Sequence, residues 1–386
     1  MPGDSAVLGF ALTLLATGLV SGCRESSEAS RSGAPPFVFR SLDLNQRRPD
    51  GQRDWDLTSP EARYELNSRT IRARRPRGIL YRNDKPNFSI SANLATVLND
   101  GEIVVLEGSV QLKQLQNKPF LIQGDRLVWR PELSTMVMNQ RPEALNSDSK
   151  LATQSLTFLQ AGNRLEFTGP TRLYRWENTR SDDQKPETVI EAADGVWNLE
   201  TGKFQAEGPV RATRSSGRRL RASGLSGNTR QKLLDLKSPV EVVLEDERGT
   251  VTAGQTRWLY GAKQLTSSAP FLADLSDGTI RGNGFAVDER TTTAIIPTAC
   301  RLEQPGESLT AERCSWNWKE ERVVAEGDVE LRRDQLNQIT RAPRLEGTVG
   351  DDGALRFGGP GQRVRSRIRV ESESTQQPRR RPPVSF

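Results

Sequence analysis

Three residues of this 386-residue chain combine a type and a placement that point to covalent chemistry. Cys23 closes an apolar run near the N-terminus, and Cys300 and Cys314 fall on successive predicted strands toward the other end. A thiolate is a nucleophile that takes up an acyl group or exchanges into a disulfide. The chain contains no histidine. That removes Ser-His-Asp and Cys-His catalysis, histidine general bases and nearly all catalytic zinc arrangements. There is no GxxxxGK phosphate loop and no dinucleotide fingerprint. The sequence therefore assigns no catalytic residue, no metal ligand and no cofactor, and no enzyme activity is expected. Carboxylates brought together by folding are the route to catalysis that stays open, which keeps a polysaccharide-active β-solenoid enzyme as an alternative. A passive envelope scaffold is the other.

The elements that position these residues are strands. Only 34% of residues are hydrophobic and the mean hydropathy is −0.62, yet the apolar residues alternate with polar ones. Phe88-Ser89-Ile90-Ser91-Ala92-Asn93-Leu94, Val240-Glu241-Val242-Val243-Leu244 and Val329-Glu330-Leu331 follow this order, the pattern of a half-buried sheet. Turn signals at Asn99-Asp100-Gly101, Asp246-Glu247-Arg248-Gly249, Ser276-Asp277-Gly278 and Gly350-Asp351-Asp352-Gly353 separate the strands. One short helical turn is predicted at Ser59-Pro60-Glu61-Ala62-Arg63-Tyr64, with Ser59 as cap and Pro60 at the first helical position. The fold class is all-β.

A motif recurs along these strands: Gly or Pro, a small residue, then alternating apolar and polar positions. It is clearest at Glu107-Gly108-Ser109-Val110-Gln111-Leu112, Glu207-Gly208-Pro209-Val210-Arg211 and Glu326-Gly327-Asp328-Val329-Glu330-Leu331. With Gly108, Pro142, Gly169, Gly208, Pro239, Pro270, Pro297 and Gly327 as anchors, the spacing averages roughly 30 residues, a period that implies stacked units. Trp129, Trp197, Trp258 and Trp316 recur at about twice that spacing. They form either an aromatic ladder lining a lipid groove or a core ladder packed between strands.

The net charge of +6 and a pI near 9.4 suggest an acidic partner: nucleic acid, anionic lipid or acidic glycan. The basic residues show no aromatic interleaving, zinc spacing or helix-turn-helix pattern, so nucleic acid is not expected. The run Arg69-Thr70-Ile71-Arg72-Ala73-Arg74-Arg75-Pro76-Arg77 either meets acidic headgroups or the transporter near a membrane, or forms a solvated face that protects an edge strand. Residues from Ala6 to Val20 are apolar or small, too short a run for a spanning helix and suited to a signal-peptide core. The run ends in Val20-Ser21-Gly22-Cys23, which resembles the lipobox of bacterial lipoproteins, a resemblance that implies acylation of Cys23. Met1 to Ser5 departs from the usual pattern, with Asp4 and no basic residue, so both a cleaved signal and a retained anchor stay open. The expected organisation is a signal peptide at 1–22, a flexible linker at 23–54 and a disordered tail at 371–386. In an exported chain Cys300 and Cys314 are either a structural disulfide or two buried thiols.

Three segments carry a wider resemblance. Tyr64-Glu65-Leu66-Asn67-Ser68, then Phe88-Ser89-Ile90-Ser91-Ala92-Asn93-Leu94-Ala95, then Val104-Val105-Leu106-Glu107-Gly108-Ser109-Val110-Gln111-Leu112 are similar in order to the lipopolysaccharide-export protein family LptC. The repeated motif over residues 55–345 looks like the related LptA/OstA repeats. The resemblance implies an open β-jellyroll (β-taco), LptC-like over 55–170 and continued by OstA-like repeats over 171–370. It implies transport of lipopolysaccharide from inner to outer membrane by a protein anchored at the periplasmic face of the inner membrane. The implied partners are lipopolysaccharide, the inner-membrane ABC transporter of its export and LptA-like or outer-membrane jellyrolls. Taking the apolar phase of each strand, lipid-facing positions are expected at Phe88, Ile90, Ala92, Leu94, Val104, Leu106, Val110, Leu112, Leu127 and Trp129.

Overall fold

The computed structural model describes residues 37–115, 120–181, 183–348, 354–359 and 363–368. Cys23, the predicted signal peptide, the first part of the predicted linker, the turn signal at 350–353 and the tail 371–386 lie outside the described residues. Among the described residues 34 strands join into one antiparallel sheet, with two short 3-10 turns. The fold is the all-β antiparallel arrangement expected.

The sheet is folded on itself into two leaves. One leaf begins with Phe37–Phe39, Glu61–Glu65, Thr70–Arg74 and Leu94–Leu98 in hydrogen-bonded order. The other begins with Leu42–Arg47, Arg53–Ser59, Arg77–Arg82 and Lys85–Ser91. The long strand Ile103–Gln114 belongs to both: residues 103–107 pair in the first leaf and 111–114 in the second.

The recurrent motif makes the crease. Gly108 and Ser109, with φ of +73° and +49°, drop out of the ladder opposite the single residue Asp125. Two residues facing one is a β-bulge, which bends the strand. A Cβ on Gly108 would lie 2.7 Å from Asn93 Nδ2, so glycine is required both by its φ and by the close approach. Ser238-Pro239 opposite Ser223, and Gly327-Asp328 opposite Pro343, repeat the bulge. Each anchor marks a crossing from the first leaf to the second. The return crossings fall between them, and every second one lies a few residues before a tryptophan, at Trp129, Trp197, Trp258 and Trp316. The period of roughly 30 residues is thus one circuit that adds a hairpin to each leaf.

Three expectations fail, each for a local reason. The predicted helical turn at 59–64 is strand, because the Ser59 hydroxyl binds the Arg74 carbonyl at 2.7 Å across the crease and Glu61–Glu65 pairs with Thr70–Arg74. The linker expected at 23–54 is strand from Phe37 onward, since Leu42–Arg47 pairs along Arg53–Ser59 and places Leu44 against the core. The basic run is no edge: Thr70–Arg74 has a neighbour on each side. Arg69, Arg72 and Arg74 lie on its outer side, paired with Asp100, Glu65 and Glu61. The ladders also continue through residue 170, which is a crease crossing between Arg164–Thr168 and Thr171–Arg175.

Cys300 and Cys314 form a disulfide between two buried positions, one just after each of two successive crossings. It staples the leaves near the crease. Replacing both by serine removes the cross-link from a loop of 14 residues' separation and is expected to cost about 2–3 kcal/mol. Thermal unfolding of the oxidised protein against the double variant measures it.

Candidate functional site: two chambers along the seam

How the facing leaves fill the space between them changes along the stack. In the N-terminal part large side chains meet and close it. Trp55 and Trp129 pack edge to face with centroids 5.1 Å apart, as do Phe88 and Phe158. Phe88, Ile90, Ala92, Val104, Leu106, Val110, Leu112, Leu127 and Trp129 are all buried in this core, and Leu94 is half-buried. The inward phase read from alternation is the phase observed at nine of the ten; at Leu94 it is inverted, since Ala95 and Val97 are the buried positions of Leu94–Leu98. None of the ten lines either of the two chambers farther along the stack, and nine of them are covered within the packed core. These nine pack the two leaves against each other in the N-terminal part of the sheet.

Farther along, the same inward positions leave space. A first chamber of about 1150 Å³ lies between Leu173 and Ile190 of the second leaf and Trp197, Phe204, Leu225 and Leu234 of the first. A second, of about 740 Å³, is walled by Val242, Val251 and Phe271 facing Trp258, Phe285 and Trp316. Such volumes match or exceed those of small-molecule pockets, about 300–1,000 Å³. The tryptophans divide between the two readings: Trp129 is core, whereas Trp197, Trp258 and Trp316 line chambers. The chamber residues stand in the same alternating phase as the N-terminal core, so alternation alone could have nominated them.

The chambers open at the seam opposite the crease, where hairpin tips of the two leaves approach. Residues far apart in sequence meet there. Arg82 pairs with Glu200 at 3.0 Å, Lys263 with Glu177 at 2.7 Å, and Arg175 lies 4.1 Å from the centre of the Tyr260 ring. At the second chamber Arg214 and Arg218 both reach Glu289, at 3.0 and 2.9 Å, and also hold Glu187 and Glu245. Burial disfavours charge on Glu245, but its backbone hydrogen bond, the charge of Arg218 and hydrogen bonds from Ser216 and Arg218 hold its carboxyl below the ordinary value. Burial likewise opposes charge on Arg214, and Glu187 and Glu289 outweigh it, so the guanidinium is held more firmly protonated. These groups clasp the lips of the seam. Among the described residues no cluster could hold a metal ion, and no helix is long and apolar enough to cross a membrane.

Residues 6–141 match the protein family described as Lipopolysaccharide-assembly, LptC-related. No curated protein matches the chain. The match covers only the N-terminal part of the chain. That family serves lipopolysaccharide transport, is associated with the cell envelope and is not an enzyme family.

Proposed function

We propose that this chain, LptC-related over residues 6–141, shields the acyl chains of lipopolysaccharide in its two chambers during transport from inner to outer membrane. The observation that carries the reading is the pair of apolar chambers opening along one seam of an LptC-like folded sheet. Acyl chains leaving water gain about 0.8 kcal/mol per CH₂ buried, so apolar walls are sufficient to hold a lipid in an aqueous compartment. Acylated Cys23 tethers the protein to the periplasmic face of the inner membrane, beside the ABC transporter that supplies the lipid. The disulfide supports an oxidising compartment.

Docking to LptA-like or outer-membrane jellyrolls uses the free sheet edges. Among the described residues, Phe37–Phe39 and Leu42–Arg47 each have one strand neighbour, as do Leu355–Gly358 and Arg365–Ile368 at the other end. Unpaired edges accept another protein's strand, and Phe37 and Val38 remain exposed on the first of them. A photoreactive residue at Phe204 or Phe285 is expected to give lipopolysaccharide adducts in cells, and one at the packed position Ile90 to give none. Absence of adducts from both chamber positions, in a folded and correctly located protein, would sink the reading.

A further inference from the structure

The two chambers differ in the charge state of their mouths. Around the second, the cations that reach the seam are already engaged: Arg214 and Arg218 hold three glutamates, and Lys263 holds Glu177. Around the first, five cations face two carboxylates, Asp148 and Glu200. Both carboxylates are taken, Glu200 by Arg82 and Asp148 by Arg175. Lys85, Arg230 and Lys232 remain, with no acidic partner among the described residues.

Their placement matters as much as their charge. Lys85 begins the strand Lys85–Ser91 at a hairpin tip of the second leaf. Arg230 and Lys232 lie in the turn between Arg219–Asn228 and Leu233–Val243, at a tip of the first leaf. Cations thus stand on both lips of one chamber whose floor is apolar. A ligand complementary to that surface has acyl chains for the floor and a negative group at the rim. We propose that Lys85, Arg230 and Lys232 are a seat for the phosphate or carboxylate of an anionic amphiphile, and that recognition of headgroup charge belongs to the first chamber. The inference rests on the groove reading above, and adds to it the residues that discriminate charge and their location. Arg82 and Arg175 frame the seat while remaining bound to Glu200 and Asp148.

Calorimetric titration of the full chain with dioctanoyl phosphatidic acid and with dioctanoylglycerol tests this, because the two lipids share acyl chains and differ in the phosphate. The wild type is expected to bind phosphatidic acid at least about tenfold more tightly, the scale of one charge-assisted hydrogen bond, with the margin shrinking as salt is added. The triple variant Lys85→Gln/Arg230→Gln/Lys232→Gln is expected to lose that margin and to keep its affinity for dioctanoylglycerol. All three positions are exposed, so the unfolding midpoint should stay at the wild-type value. Removing the same charge from the outer face, in Arg72→Gln/Arg74→Gln/Arg77→Gln, should leave the margin intact. Equal binding of the two lipids by the wild type overturns the seat and leaves the groove reading standing. So does a margin that survives the triple variant or is lost equally in the outer-face variant. Failure of the wild type to bind either lipid overturns both.

Discussion

Phe88→Ala is expected to destabilise the N-terminal core by about 3–5 kcal/mol, the range for a fully buried aromatic truncated in a packed site. Phe88 is wholly buried, its ring stands edge to face with Phe158 at 5.1 Å, and its strand is paired on both sides. The side chain spans from one leaf to the other, so its loss leaves a hole that neither ladder can close without changing register. Phe88→Leu keeps most of the volume and should cost less, about 1–2 kcal/mol. Urea unfolding followed by the fluorescence of the Trp55–Trp129 pair measures both. In a stacked sheet each circuit contacts its neighbours, so the stapled C-terminal circuits should unfold at a midpoint that moves less. If Phe88→Ala costs under about 1 kcal/mol, the core is not packed as described, and a lipid path through the N-terminal part returns.

Phe204→Asp is expected to weaken acyl-chain binding in the first chamber by roughly a hundredfold or more. Phe204 is half-buried, sits in register with Trp197 and faces the chamber. An ionised carboxylate there stays hydrated while the chamber is empty; because Phe204 also packs against the neighbouring core, the unfolding midpoint is measured alongside to confirm that the variant is folded. A bound acyl chain must strip that water and offers no hydrogen bond in return, a cost of about 3 kcal/mol or more. Phe204→Leu, with an apolar side chain of smaller size, should lose only a few-fold. Titration with a short-chain lipid reads both variants. Equal affinity in wild type and Phe204→Asp would mean that the acyl chains do not occupy this chamber.

The crease was legible at residue level. Gly108, Pro239 and Gly327 announce positions where a strand cannot run straight, and the bulges fall there. Alternation placed Phe88, Ile90 and Leu112 on the inner face. It failed at Ser59-Pro60, whose cap-like composition serves a crease crossing, because the hydroxyl's partner is the carbonyl of Arg74, fifteen residues away. It also passed over Leu42–Arg47, where polar composition suggested a linker and pairing with Arg53–Ser59 made a strand.

What the chain's own sequence determined is the local part: strand after strand, the inward phase of each, and the bulged turning points. These depend on dihedral preferences and on which side of a pleat each residue occupies, both set within a few residues. Only the tertiary structure decided how far apart the leaves stand. Alternation at Phe88 and at Phe204 reads the same, yet one ring meets Phe158 across a closed core and the other borders a chamber of about 1150 Å³. That separation is set by the sizes of side chains meeting from different circuits, and by seam contacts such as Arg214 with Glu289, 75 residues apart. No local pattern encodes such a distance, because it depends on which residues the stacking brings face to face.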